Sequence, residues 1–515
     1  MGVGSPGVRA GKGDIPRSFR VSTLFNRSGW ICLVTWRTSV FPRNSWAKRI
    51  AGGRAGFSPF PFKLPWIALF SSGKKGPSLK QKTVHTLSRR RKKPLGVLEL
   101  IAIALGGMVG GGIFSILGVS VGLIGAYTPV AIAIGGLIAA LAAYSYVKLG
   151  VYYKDEGATY AFFKRTFPGS PFAASVVGWV VSFGYISTLA LYAYTFASYA
   201  ISGFSFADSE WTRKAVSGSI IAVFTIINVW SVKGMGKIED LMVYTKILVL
   251  VVISLVLMLN SESSLPVLLE QSQGTSFVAI LICASLTFVA YEGFQLVIHA
   301  IKEMDHPEKK IPRAIYSAIF LAIAIYVIIA LGALLAIPMP DIVAKKEYAL
   351  AAGASDVLGH WGTDLVIAGA LLATSSAISG TVFGASRLVA SIADDGYFPR
   401  FLTRRPRQIP VPAVLVMSGL AFGLILSGNL EVILEFGSFT FLMVSLMTAY
   451  ANFKIRDKTG SSLYLTLLSL LGLGMGTFFI FYYEATHHPE QLLFIGILYA
   501  GLIFGSWFYS KIKNL

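Results

Sequence analysis

Gly106-Gly107-Met108-Val109-Gly110-Gly111-Gly112-Ile113-Phe114 puts five glycines into seven positions, inside an apolar run long enough to cross a bilayer. Each glycine in a helix interior costs about 1 kcal/mol relative to alanine. A cluster this dense predicts a helix that unwinds at mid-membrane depth. Unwound backbone is tolerated there only where protein or a polar cavity satisfies its N–H and C=O groups. The alternative is close helix packing through small residues spaced by four. These glycines are nearly consecutive and do not line one helix face, which favours the break.

The same apolar character extends outward over most of the chain. Of 515 residues, 54% are hydrophobic and only 14% charged, too few charges to clothe a soluble surface. From Pro94 onward, apolar stretches of membrane-crossing length recur between short polar gaps. They fall at about 97–118, 127–149, 171–199, 214–232, 240–260, 275–301, 313–337, 361–390, 411–427, 430–452, 461–483 and 490–510. The expected fold is all-α, a polytopic membrane protein of about twelve spans.

Charge fixes the expected topology. Residues 1–93 hold twenty Lys and Arg against one acid, Asp14, so nearly all of the formal net charge of +20 belongs to this leader. The leader is rich in Arg, Ser, Gly and Pro and ends in Arg89-Arg90-Arg91-Lys92-Lys93. It reads as a disordered cytoplasmic extension, or as sequence upstream of a miscalled start. Beyond it, the loops on the side of the N-terminus hold nineteen Lys and Arg. The opposite loops hold four: Arg213, Lys214, Lys345 and Lys346. Cytoplasmic loops accumulate Lys and Arg, so both termini are expected in the cytoplasm and the protein in the plasma membrane. The basic excess carries no nucleic-acid signal.

A second irregular segment, Phe288-Val289-Ala290-Tyr291-Glu292-Gly293-Phe294, lies in span 6, five spans after the first. Paired interruptions in the leading helices of two five-span halves point to a transporter built from inverted repeats, with its binding site at the midplane. Repeat one covers about 97–260 and repeat two about 275–452, with spans 11 and 12 (461–510) appended. Half-helix N-termini offer N–H groups to an anion, and C-terminal ends offer carbonyls to a cation. A ligand with both charges, an α-amino acid, suits that pair of ends. Among the acids, Glu99 reads as a cap of span 1. Glu292 lends either its backbone alone or its carboxyl to a substrate amine or a proton. Lys246, inside span 5, either snorkels to the cytoplasmic interface or serves the bundle interior.

Three motifs in order, Gly106–Phe114, Phe288–Ile315 with Glu303, Pro307 and Ile311-Pro312-Arg313, and Ser386-Arg387 followed by Asp395-Gly396-Tyr397-Phe398-Pro399, resemble the amino acid/polyamine/organocation (APC) permeases over residues 94–515. The resemblance implies a substrate site of Met108, Gly110, Gly111, Gly112, Phe288, Val289, Glu292 and Gly293. The N–H groups of Gly111 and Gly112 would hold the carboxylate. The carbonyls of Met108, Val289 and Glu292 would face the amine, and Phe288 and Val289 would read the side chain. It also implies a proton-coupling set, in which the Lys246 ammonium meets the Gly106 carbonyl and the hydroxyls of Ser376 and Ser375. A buried lysine of this kind can exchange a proton near physiological pH.

No phosphate-binding loop, serine elbow or metal-spaced histidine cluster occurs, and two cysteines, Cys32 and Cys283, make no framework. The expected protein is therefore no enzyme and needs no cofactor or metal. It would move amino acids by alternating access, coupled to protons. Rival readings are an amino acid exchanger and a substrate-sensing receptor that does not transport.

Overall fold

The computed structural model describes residues 94–513, apart from 208, 231, 260–262, 346–347, 407–408 and 429, together with two strands of the leader. In the leader, β1 (Phe19–Asn26) pairs antiparallel with β2 (Gly29–Trp36), with Phe19 opposite Trp36 and Asn26 opposite Gly29. Composition predicted disorder across residues 1–93. The two strand segments are instead rich in aromatic and β-branched residues, which suit a pleated ribbon. The remaining leader, including Arg89 to Lys93, lies outside the described residues, as do Lys346 and Arg407.

The membrane unit is all helix. Span 1 is two helices, α1 (Val97–Met108) and α2 (Gly112–Ile124). Glu99 acts as the expected cap, its carboxylate accepting from the Gly96 N–H at 2.6 Å. Span 2 is α3 (Thr128–Tyr153), followed by a short amphipathic helix, α4 (Ala158–Thr166), which the sequence reading left as a gap. Spans 3, 4 and 5 are α5 (Pro171–Ile201), α6 (Glu210–Trp230) and α7 (Val232–Leu259). The last of these starts eight residues earlier than its apolar run.

Span 6 is broken as well. After the outer helix α8 (Leu265–Gln271), α9 (Phe277–Leu286) gives way to a tight 3-10 turn, Thr287–Tyr291, and resumes as the single turn α10 (Leu296–His299). Span 7 is α11 (Pro307–Ala336), and α12 (Met339–Lys345) follows it. Next comes α13 (Ala349–Asp394), which bends at Gly359, where φ is 65°; the membrane portion is Trp361–Asp394. Spans 9 to 12 are α14 (Val411–Ser427), α15 (Leu430–Lys454), α17 (Leu463–His487) and α18 (Pro489–Lys513), with the turn α16 (Arg456–Thr459) between the second and third.

Packing follows the two-half pattern. Spans 2 and 7 lie against each other, as do spans 3 and 8 and spans 4 and 9, and the breaks of spans 1 and 6 touch. Spans 2, 3 and 4 of the first half thus each meet the counterpart five places on, whereas span 5 packs on spans 7 and 8. Because a half has five spans, the two halves cross the membrane in opposite senses. Span 3 is central, with 83% of its core window buried, while span 12 is peripheral at 17%. Spans 11 and 12 are thus added to the outside of the ten-span core.

Candidate functional site

The two breaks form the centre of the bundle. Span 1 leaves the helix at Val109, whose ψ of 77° turns the chain, and restarts with Gly111 as the N-cap of α2. No side chain caps that N-terminus. The carbonyls at the end of α1 are claimed by side chains from three other spans. Lys246 of span 5 donates to Gly106 O at 3.0 Å and Val109 O at 2.5 Å. Tyr192 of span 3 donates to Gly107 O at 2.9 Å, and the Tyr326 hydroxyl of span 7 lies 2.7 Å from Met108 O. A helix C-terminus carries partial negative charge and unsatisfied carbonyls, and these donors answer both.

Lys246 is fully buried. Besides the two carbonyls, its ammonium donates to Ser376 Oγ of span 8 at 2.7 Å. Three N–H donors thus meet three acceptors in a geometry that ties spans 1, 5 and 8 together. This position answers the question left open by sequence: Lys246 serves the bundle interior and does not snorkel. Gly106 and Ser376 stand where expected. Ser375, on the next position of the same helix and hence about 100° around it, is half-buried and is not among these acceptors.

In span 6 the chain leaves the 3-10 turn at Glu292, which is extended, and reverses through Gly293 at φ 130°. Gln295 folds back over the break. Its carbonyl accepts from Gly293 N–H at 3.2 Å, and its amide donates to one oxygen of Glu292. Glu292 is 2% exposed, and its other oxygen has no partner among the described residues.

The breaks approach backbone to backbone. A Cβ at Gly293 would lie 2.6 Å from Gly107 C and Met108 N, and one at Gly112 would lie 3.1 Å from Ala290 Cα. The Tyr326 hydroxyl bridges the two segments, 2.7 Å from Met108 O and 2.9 Å from Ala290 O. The glycines therefore do both things weighed from sequence, since they unwind the helix and also allow close contact. A Cβ at Gly110 would meet Ala377 Cβ at 2.7 Å, and one at Gly111 would meet Thr195 Oγ1 at 2.8 Å.

All eight expected substrate-site residues, Met108, Gly110, Gly111, Gly112, Phe288, Val289, Glu292 and Gly293, are buried and gathered at these breaks. Two of the expected amine acceptors are engaged within the protein: Met108 O by Tyr326, and Val289 O by the Glu292 N–H at 3.1 Å. Val289 packs toward Gly437 of span 10. Sequence reading missed Tyr192, Tyr326, Val109 and Gln295. Tyrosines within apolar spans were the available signal for the first two, since a buried hydroxyl needs a partner. It also passed over Glu435 and Glu484, two buried carboxyls that face each other between spans 10 and 11.

Residues 95–503 match the family described as amino acid permease. The chain is 28% identical to the inner membrane transport protein YbaT of Escherichia coli K12, over 75% of this chain and 90% of that one. It is 27% identical to an uncharacterised protein of Methanocaldococcus jannaschii, over 82% of this chain and 97% of that one. Asc-type amino acid transporter 1 of Mus musculus is 27% identical, over 68% and 67% of the two chains.

Proposed function

The chain belongs to the amino acid permease family, within the APC superfamily, and is a multi-pass membrane transport protein for amino acids; from that premise we propose that it works by alternating access, driven by protons. The reading places it in the plasma membrane with both termini in the cytoplasm, supported by the nineteen-to-four division of basic residues.

One observation carries the proton coupling: the Lys246 ammonium lies buried on the carbonyl end of α1 with its third donor on span 8. Burial disfavours the charged form, while the two carbonyls and the hydroxyl favour it. Any movement that parts α1 from span 5 removes acceptors and releases the proton. Conversely, deprotonation removes the charge and one of the three donors that hold spans 1, 5 and 8 together. Proton loss and opening are thus two descriptions of one equilibrium.

The substrate carboxylate is assigned to the N–H groups of Gly111 and Gly112, at the uncapped start of α2. The ammonium is assigned to the carbonyls of Met108 and Val289 and to the free oxygen of Glu292. In the closed arrangement Tyr326 and the Glu292 N–H occupy the two carbonyls, so Glu292 is the acceptor open to an incoming amine. Substrate entry therefore has to displace the Tyr326 bridge and part the two breaks.

The test is uptake of a radiolabelled amino acid panel by the purified protein in liposomes, with and without an imposed proton gradient. Accumulation above equilibrium only with the gradient is expected. Equal counterflow without a gradient, and no accumulation with one, would make the protein an exchanger. Binding without flux would make it a receptor.

A further inference from the structure

Away from the breaks, a groove of about 600 Å³ opens on the flank of the bundle at the end that carries the basic loops. Val147 and Val151 of α3 form its floor, and Pro312 and Tyr316 of α11 form one wall. The link after span 10 closes the other side. There Lys148 donates to Gly460 O at 2.8 Å, and the Tyr144 hydroxyl accepts from Ser462 N–H at 2.7 Å. These two bonds fix the link over the end of span 2 and set Lys458 and Thr459 on the rim.

The groove is amphipathic along its length. Its mouth holds the Lys148 and Lys458 ammonium groups, the first 5.7 Å from the centre of the Tyr144 ring. The acid on the rim, Glu308, has its carboxylate directed to Lys154 at 4.0 Å and His306 at 3.4 Å, which leaves the two lysines uncompensated by it. Deeper into the membrane the lining becomes aromatic, with Tyr144 of α3 and Tyr316 of α11 both on the groove. One helical turn beyond Tyr316, Phe320 is 56% exposed on the lipid flank. Cationic head and aromatic throat line one groove, and the exposed Phe320 stands one helical turn further along α11.

We propose that this groove is a binding site for an anionic phospholipid, with the phosphate between Lys148 and Lys458 and one acyl chain along Tyr144, Tyr316 and Phe320. Basic pockets between spans on the cytoplasmic side suit anionic headgroups. A zwitterionic lipid would bring its own ammonium against the two lysines. A free anion would leave the apolar lining wet. Assignment to the inner leaflet rests on the orientation proposed above. Binding itself requires only that the chain spans a membrane, so the test below is independent of transport.

The experiment is native mass spectrometry of the full chain in detergent, incubated with equimolar phosphatidylglycerol and phosphatidylcholine of matched chains. A several-fold excess of phosphatidylglycerol adducts is expected. The Lys148→Gln/Lys458→Gln variant should bring the two lipids to parity. A charge-matched control, Lys454→Gln/Lys511→Gln, should leave the excess intact. Because Lys148 also holds the Gly460 link, Lys458→Gln alone provides a variant without that bond at stake, and it should reduce the excess. Val151→Trp, which fills the floor and keeps both lysines, should lower adducts of both lipids. An unchanged excess in the groove variants, an equal loss in the control, or displacement of the adduct by excess soluble glycerol phosphate would each overturn the proposal.

Discussion

Gly293 shows how tightly single positions determine the site. Its φ of 130° strains any L side chain, and a Cβ there would lie 2.6 Å from the backbone of Gly107 and Met108. Strain and overpacking together predict that Gly293→Ala costs about 2–4 kcal/mol. A thermal-unfolding midpoint in detergent should fall markedly, and an unchanged midpoint would mean the two breaks do not touch. Glu292 tests chemistry separately from packing. Glu292→Gln keeps shape and the Gln295 contact but removes the charge offered to an amine. A hydrogen bond to a charged group contributes about 1.5–3 kcal/mol, so substrate KM should rise at least about tenfold with folding unchanged. Unaltered KM would return Glu292 to a purely backbone role. Some of this detail was legible in sequence and some was not. Gly106, Lys246 and Ser376 could be matched by motif, and they converge in space. Val109 could not be foreseen, because its carbonyl reaches Lys246 only through the turn at ψ 77°. Ser375 and Ser376 were indistinguishable without knowing how the helix is rotated. Tyr192 and Tyr326 bind carbonyls on distant spans, and only the tertiary fold assigns such partners.

At the level of elements, the glycine cluster of span 1 and the irregular Phe288–Phe294 segment of span 6 announced the two broken helices and apolar length announced the spans, whereas the short connecting helices were invisible to these signals. The amphipathic α4 is the one with consequences. Lys164 of α4 pairs with Asp395 at 2.6 Å, and the Tyr160 hydroxyl donates to the same carboxylate at 2.8 Å. Burial, with Asp395 beside it, holds the Tyr160 phenol well above its usual range, so it stays a donor at every physiological pH. Lys302 reaches Glu156 at 2.7 Å and Arg405 reaches Asp394 at 2.5 Å, which ties the same end of the bundle across several loops. Basic residues of these loops thus latch this end. Each pair is partly exposed and contributes at most about 1 kcal/mol, so the latch biases opening without locking it. Asp395→Asn should therefore raise the alkylation rate of a cysteine placed at Ser375, in a Cys32→Ser background, by up to about fivefold. No change would mean that this end is held closed by packing alone.

Across the whole molecule, spans 2 and 7, 3 and 8, and 4 and 9 pair around touching breaks, the arrangement in which the proposed alternating access would move one half against the other. The five-span repeat was readable from the interval between the two glycine-containing breaks. Which spans pack against which was not, because every span is apolar and lipid-facing and bundle-facing residues differ little in composition. Lys246 sits between the two halves, joined to α1 on one side and to span 8 on the other. The central claim is that its proton couples the gradient to that movement. The direct measurement is substrate accumulation by wild type and Lys246→Met in proteoliposomes, across external pH 5 to 8 at matched protein density. Methionine keeps most of the stem volume and removes the donors, so binding should persist while gradient-driven accumulation collapses and its pH dependence flattens. A variant that concentrates substrate with the wild-type pH profile would contradict the account.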